Sequence, residues 1–222
     1  MKAASLSSKT MLPKTLDHVA LWVSERDAIA DALAAGFGMH VIERTDRFTL
    51  MGADARRFKL TLFEAEGPRD PGSLKHVALR VNALPDGPRE SELPDGLKLV
   101  LVEAPTEVDY DLDHVALWSP DPEAAVAGWE AFGFTRADRT RLEVGGAFLE
   151  LHRGEPAEGG APLLNHLAVL VDSVEEHLAE AEKLGLEVAD VVDAPNTLAL
   201  FLYGPDRVKL ELVEHKPSFS LT

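Results

Sequence analysis

The sequence predicts an α+β fold assembled from four tandem βαβββ modules that pair into two domains, the second module being pared down. Three observations carry this. "LDHVALW" at residues 16–22 returns letter for letter at 112–118, with looser copies "LKHVALR" at 74–80 and "LNHLAVL" at 164–170. A helical stretch with end signals follows three of these four openings. Each repeat then closes on a strand of alternating character, "RFKLTLFE", "LKLVLVE", "AFLELHR" or "RVKLELVE".

Taken in order, the first opening leads into "SERDAIADALAAGFG", where a Ser able to cap precedes spaced apolar residues and Gly marks the exit. In the second unit only "VNALPDGPRESELPDG" separates opening from closing strand, and its Pro-Asp-Gly turns leave no room for a helix. The third has "PDPEAAVAGWEAFGF", with Asp121 at the N-cap position and Pro122 at the first helical position. The fourth has "DSVEEHLAEAEKLGLEV", capped by Asp172 or Ser173 and ended by Gly185. Residues 1–15, rich in Ser, Lys and Thr, read as a flexible tail. Residues 16–108 (modules one and two) read as an N-terminal domain, and 109–222 (modules three and four) as a C-terminal one.

Composition narrows the function. The formal net charge of −16, from 22 basic and 38 acidic residues, repels phosphate backbones and anionic membrane surfaces. Nucleic acid and membrane are therefore not expected as partners, while a small-molecule substrate is. With no cysteine, disulfides, thiolate nucleophiles and Cys-bound zinc are excluded. Neither a signal peptide nor a membrane-spanning run is legible, so a cytoplasmic protein is expected. A homodimer is one of the assemblies left open.

Strand alternation sets the face of each side chain. At 112–118, Val115 and Leu117 suit the helix-packed face, which turns His114 toward the opposite wall of the sheet. On the closing strands, Glu150 and Glu211 stand mid-strand opposite a leucine face, where a carboxylate needs a partner, and a metal ion is a good one. His114, Glu150, His166 and Glu211 hold equivalent positions in modules three and four. Modules one and two supply His18 and His76, but Thr61 and Val100 replace the glutamates, so these two histidines read as structural relics of duplication. His152, beside Glu150, reads as a strand-end residue or a substrate contact. His40, His177 and His215 carry no positional argument.

The "DHVAL" openings and the closing "GPDRVKLEL" (204–212), similar to "DPDGNxIEL", resemble the vicinal oxygen chelate superfamily over nearly the whole chain after residue 15. That group includes glyoxalase I, extradiol dioxygenases, fosfomycin-resistance proteins and bleomycin-binding proteins. The resemblance implies a cleft holding one divalent ion (Ni, Co, Zn, Mn or Fe(II)), ligated by His114, Glu150, His166 and Glu211. It implies glyoxalase-like isomerase, lyase or epimerase chemistry on a vicinally oxygenated molecule, with Glu150 or Glu211 as base. Ring-cleaving dioxygenation and non-catalytic binding of a small molecule are the alternatives. The ring-cleaving members carry a Tyr four residues before the Pro of the closing motif and a His upstream of it. Phe201 stands in the Tyr position here and Asn196 near that of the His, with Tyr203 displaced.

Overall fold

The computed structural model describes residues 11–52, 58–156 and 160–219 of the chain. Module one comprises β1 (Thr15–Val23), α1 (Arg26–Phe37), β2 (His40–Arg44), β3 (Phe48–Gly52) and β4 (Lys59–Glu64). Module two is β5 (Leu74–Val81), β6 (Glu90–Glu92) and β7 (Lys98–Glu103), with a single 3-10 turn at Pro94–Gly96 in place of a helix. Pro94, one of the prolines that bar a helix in the sequence reading, opens this turn, and Asp95 sits there at φ 59. Module three contains β8 (Asp111–Ser119), α2 (Pro122–Ala131), β9 (Thr135–Asp138), β10 (Arg141–Val144) and β11 (Ala147–Arg153). Module four contains β12 (Leu164–Leu170), α3 (Val174–Leu184), β13 (Val188–Asp193), β14 (Thr197–Tyr203) and β15 (Lys209–His215).

Four modules pair into two sheets, but not with their neighbours in sequence. The eight-stranded sheet runs β13-β14-β15-β12-β1-β4-β3-β2, and the seven-stranded sheet runs β6-β7-β5-β8-β11-β10-β9. The outermost modules, one and four, thus share a sheet, and the inner two share the other. The division expected at residue 108 instead cuts across both sheets. The junctions explain why: β1 pairs antiparallel with β12, and β5 with β8, burying opening strands at the centre of each sheet. Within every module the opening strand runs parallel to its closing strand, as in β1 with β4 and β12 with β15.

The apolar faces meet the helices as alternation requires. Val19, Leu21, Val115, Leu117, Leu167, Val169, Leu210 and Leu212 are all at most 1% exposed. The sheets are tied through their helices. Pro205, in the turn before β15, packs on Gly128 of α2 so closely that a Cβ there would lie 2.6 Å from the proline ring. Asp95 of module two accepts hydrogen bonds from the backbone and hydroxyl of Ser24, both at 2.7 Å. That contact takes the hydroxyl expected to cap α1, whose N-cap is Glu25 without a side-chain bond. Ser173 does cap α3, accepting from Glu176 N at 3.2 Å, and Gly185 closes it in the left-handed conformation.

Residues 1–10 of the expected tail lie outside the described residues. Residues 11–15 are anchored to the fold at several points: Met11 is 2% exposed, Lys14 N bonds Leu170 O at 2.7 Å, and Thr15 opens β1. Among the described residues no helix is long and apolar enough to cross a membrane.

Because each sheet needs one module from either half, a fragment of residues 109–222 lacks both central partners, β1 and β5. Expressed alone, it is expected to show no cooperative urea transition and to bind a hydrophobic dye. A cooperative, monomeric transition of the fragment would contradict this pairing.

Candidate functional site

A backbone irregularity repeated at each junction builds the site. The β1–β12 ladder skips one residue between Leu16 and His18 and another opposite Ala20/Leu21, which leaves Asp17 and Asn165 unpaired. The β5–β8 ladder skips Lys75 and Asp113 in the same way. Every skipped residue immediately precedes an opening-strand histidine. A bulge of this kind breaks strict alternation, so neighbours in sequence reach the same groove. That is why Asp17 and His18 both line one cavity, where alternation alone sends an Asp at this position to the helix face.

Closing strands repeat their register too. Ala20 of β1 stands opposite Thr61, Ala116 opposite Glu150, Ala168 opposite Glu211 and Ala78 opposite Val100. With modules one and four joined, the first groove receives His18, His166 and Glu211, with Thr61 at the fourth position. The second receives His76, His114 and Glu150, with Val100 at the fourth. The expected quartet of His114, Glu150, His166 and Glu211 is therefore split between two sheets and shares no centre. His18, read as a relic, is instead part of the tighter cluster.

In the first groove His18 Nε2 lies 3.2 Å from His166 Nε2 and 3.2 Å from Glu211 Oε2, and His166 Nε2 lies 2.8 Å from Glu211 Oε2. Among the described residues, this is the group whose three ligand atoms all fall within 4.8 Å of one another. Metal–ligand bonds of about 2.1 Å at right angles separate adjacent ligands by about 3 Å, so the triangle fits one face of an octahedron. Bracing of the rings fits as well. Asp17 Oδ2 lies 2.9 Å from His18 Nδ1 and Asn165 Oδ1 3.2 Å from His166 Nδ1, leaving each Nε2 lone pair for an ion. Asp17 is held in turn by Lys59 Nζ at 2.9 Å, a lysine only 2% exposed.

Charge is concentrated here. Burial alone would lower the His18 pKa, but the Asp17 and Glu211 carboxylates outweigh it and raise it from 6.5 to about 9. Burial would likewise raise Glu211, yet hydrogen bonds from His166 and His18 hold it down to about 2. Asp17 is held well below the carboxylate range by His18 and Lys59 against the opposing effect of burial. His166 is lowered, mainly by burial. The cavity above the triad measures about 390 Å³ and is walled by Phe48, Phe63, Phe201 and Phe219, with Asn196 and His215 at its polar edge. Burial lowers the His215 pKa, and its ring stacks on Phe219 at 3.7 Å.

The second groove departs from this arrangement. His76 and His114 meet Nε2 to Nε2 at 2.9 Å, but Glu150 Oε2 is 3.6 Å from His114 Nε2, while Arg141 Nε lies 3.1 Å from Glu150 Oε1. Glu150, expected as ligand or base, is thus engaged by an arginine. Asp113 braces His114 at 2.8 Å, but Lys75 stands beside His76 where Asp17 and Asn165 stand in the first groove, and a cation cannot accept from an imidazole. Burial, then the neighbouring His114, Lys75, His152 and Lys98, push the His76 pKa down to about 4.

Sequence reasoning missed Asp17, Lys59 and His215. Lys59 carried a weaker signal: a charge at the start of "KLTLFE", on the side opposite its leucines. Asp17 carried none, because only the bulge turns it inward.

The groove of paired modules, with imidazoles from opening strands and a glutamate from a closing strand, defines the class. The model of the Glyoxalase/Bleomycin resistance protein/Dioxygenase superfamily matches residues 15–87 and 111–212, and the chain belongs to that family. Among solved structures it is similar to a Bacillus subtilis protein provisionally described as a dioxygenase (TM-score 0.75, 16% identity, 94% of this chain and 87% of that one). It is also similar to glyoxalase I from Zea mays (TM-score 0.68, 17% identity, 90% and 92%). The cppA protein of Streptococcus pneumoniae is a third (TM-score 0.62, 12% identity, 93% and 100%). At these identities the likeness is one of fold. No curated protein matches the sequence.

The raised His18 pKa has a consequence for stability. A group whose folded pKa exceeds its unfolded value of 6.5 stabilises fully below that value, and loses its contribution as pH rises through about 9. In metal-free protein the stabilisation that His18 contributes should therefore be lost between about pH 6 and about pH 9.5. Urea unfolding of the chain and of His18→Gln across this window checks it: the difference between the two should shrink as pH rises.

Proposed function

We propose that the protein is a divalent-metal-dependent enzyme acting on a small, vicinally oxygenated molecule, with His18, His166 and Glu211 as its metal ligands. The triangle of ligand atoms at 2.8 to 3.2 Å is the observation that carries this reading. When bound, the ion would supply Lewis-acid polarisation of substrate oxygens and, as iron, one-electron redox chemistry.

Two imidazoles and one carboxylate on one face match the donor set of non-haem Fe(II) oxygenases. Glyoxalase-like proton transfer was expected to use a second carboxylate, and Thr61 occupies that position in this groove. The geometry therefore favours ring-cleaving dioxygenation over isomerase, lyase or epimerase chemistry, reversing the preference drawn from sequence. Phenylalanines lining the cavity suit a planar substrate, and they exclude water from the reacting atoms. His215 lines the same cavity and its pKa is lowered by burial, so near neutral pH it is an unprotonated imidazole able to take a substrate hydroxyl proton. Lys59 and Asp17 keep the His18 ring in its ligating orientation.

Metal titration followed by activity assays tests the proposal. His166→Ala and Glu211→Gln should each weaken Fe(II) or Zn(II) affinity by at least about 100-fold, whereas Glu150→Gln should leave it within about threefold. Oxygen uptake with catechols under Fe(II) is expected, and hemithioacetal turnover under Ni(II) or Co(II) is not. Metal binding that depends on Glu150 but not on Glu211 would refute the ligand assignment, and hemithioacetal turnover would refute the reaction.

A further inference from the structure

The first groove holds one charge that its network does not use. Glu43, on β2, lines the same cavity as the triad and is half-buried there. The other two carboxylates of that lining are matched within it, Asp17 by Lys59 and His18, and Glu211 by the two histidines. Glu43 has neither a hydrogen bond nor an ion pair among the described residues. A carboxylate drawn partly out of water without a partner is unfavourable, and a cationic group on a ligand relieves that.

A bulge aims it. The β2–β3 ladder passes from Val41 opposite Met51 to Glu43 opposite Leu50, skipping Ile42. Regular pairing would set Glu43 opposite Thr49, whose side chain is fully buried on the helix face. Gly52 makes room for the displaced isoleucine: a Cβ there would lie 2.9 Å from Ile42 Cδ1. Glu43 thus heads a row of same-face neighbours, Leu50, Thr61 and Ala20, that ends on His166. From Ala20, beneath the triad, to Glu43 is roughly 14 Å of sheet, at about 4.8 Å for each strand crossed. Side chains reach into that span from both ends, leaving the length of an aromatic ring with a short arm. Phe48 and Phe63, with ring centres 5.7 Å apart, flank the row; their faces suit a flat ligand and attract a cation.

From this unmatched carboxylate, at the far end of a row that begins at the triad, we infer that the first groove selects a planar vicinal diol carrying a primary ammonium on a short arm. Glu43 is the specificity-determining residue: the ammonium pairs with it while the diol faces the metal ligands. A carboxylate in the place of the ammonium is repelled. The diol end rests on the proposed metal centre, and the ammonium end rests on the cavity and its Glu43 alone.

Isothermal titration of the full-length protein, chelator-treated and again with Zn(II), reads binding without turnover. Dopamine is expected to bind at least about tenfold tighter than ethylcatechol, its uncharged counterpart, with the carboxylate analogue dihydrocaffeate weaker still. In Glu43→Gln the preference should shrink to within about twofold while ethylcatechol affinity is kept, which also shows the variant folded. Glu43→Lys should turn the preference toward dihydrocaffeate. Asp190, at the matching ladder position of module four, is exposed and outside the cavity lining, so Asp190→Asn should keep the preference and exclude an effect of net charge. No saturable dopamine binding in either form, equal binding of dopamine and ethylcatechol, an unchanged preference in Glu43→Gln, or its loss in Asp190→Asn would overturn the inference. Oxygen uptake under Fe(II) separates the two readings. Glu43-dependent dopamine binding without uptake refutes the reaction proposed above and upholds this inference; uptake with no preference for dopamine does the reverse.

Discussion

Antiparallel pairing of β1 with β12, in one register, is the constraint on which the first groove depends. It sets His18 opposite Ala168 and His166 opposite Ala20, so two rings from residues 148 positions apart meet within 3.2 Å. The small alanines are part of the device. A larger side chain between the rings would fill the space where they converge, and Ala20 and Ala168 are fully buried beneath the site. The bulges at Asp17 and Asn165 then add an acceptor behind each ring without lengthening the strand.

Charge burial of this kind is expensive. Removing a carboxylate and an imidazolium from water costs several kcal/mol each, and their mutual attraction recovers this only when every remaining donor and acceptor is matched. The first groove meets the condition by nesting its charges: Lys59 on Asp17, Asp17 on His18, and His18 and His166 on Glu211. A lysine that is 2% exposed is tolerated because its partner is fixed by a strand on the other side. The same matched network holds the ligands in place before any ion arrives, which lowers the reorganisation needed to bind one.

From one plan, the two sheets have reached different arrangements of charge through a handful of positions. Lys75 in place of Asp17 or Asn165 removes the acceptor behind one ring, and Arg141 draws Glu150 away from the imidazoles. Neither change disturbs the ladder, since Lys75 still occupies the bulge and Glu150 still pairs with Ala116. The backbone fixes where side chains meet, and the chemistry of a few of them decides what the meeting place can hold.

The repeat, the strand–helix–strand order, the missing helix of module two and the groove-facing histidines and glutamates were all legible in the sequence. They follow from local causes: periodicity, capping residues, and prolines at 85, 88 and 94 that forbid a helix. Which modules share a sheet was not legible, because all four openings carry nearly the same letters and any two could pair by the same hydrogen bonds. That choice separated Glu150 from Glu211, gave Glu211 the partner His18 and left Thr61 at the fourth position. Asp17 was hidden for a related reason: its direction is set by a bulge that exists only against β12. Local sequence thus determined the elements and the faces they offer, and long-range pairing alone determined which faces meet.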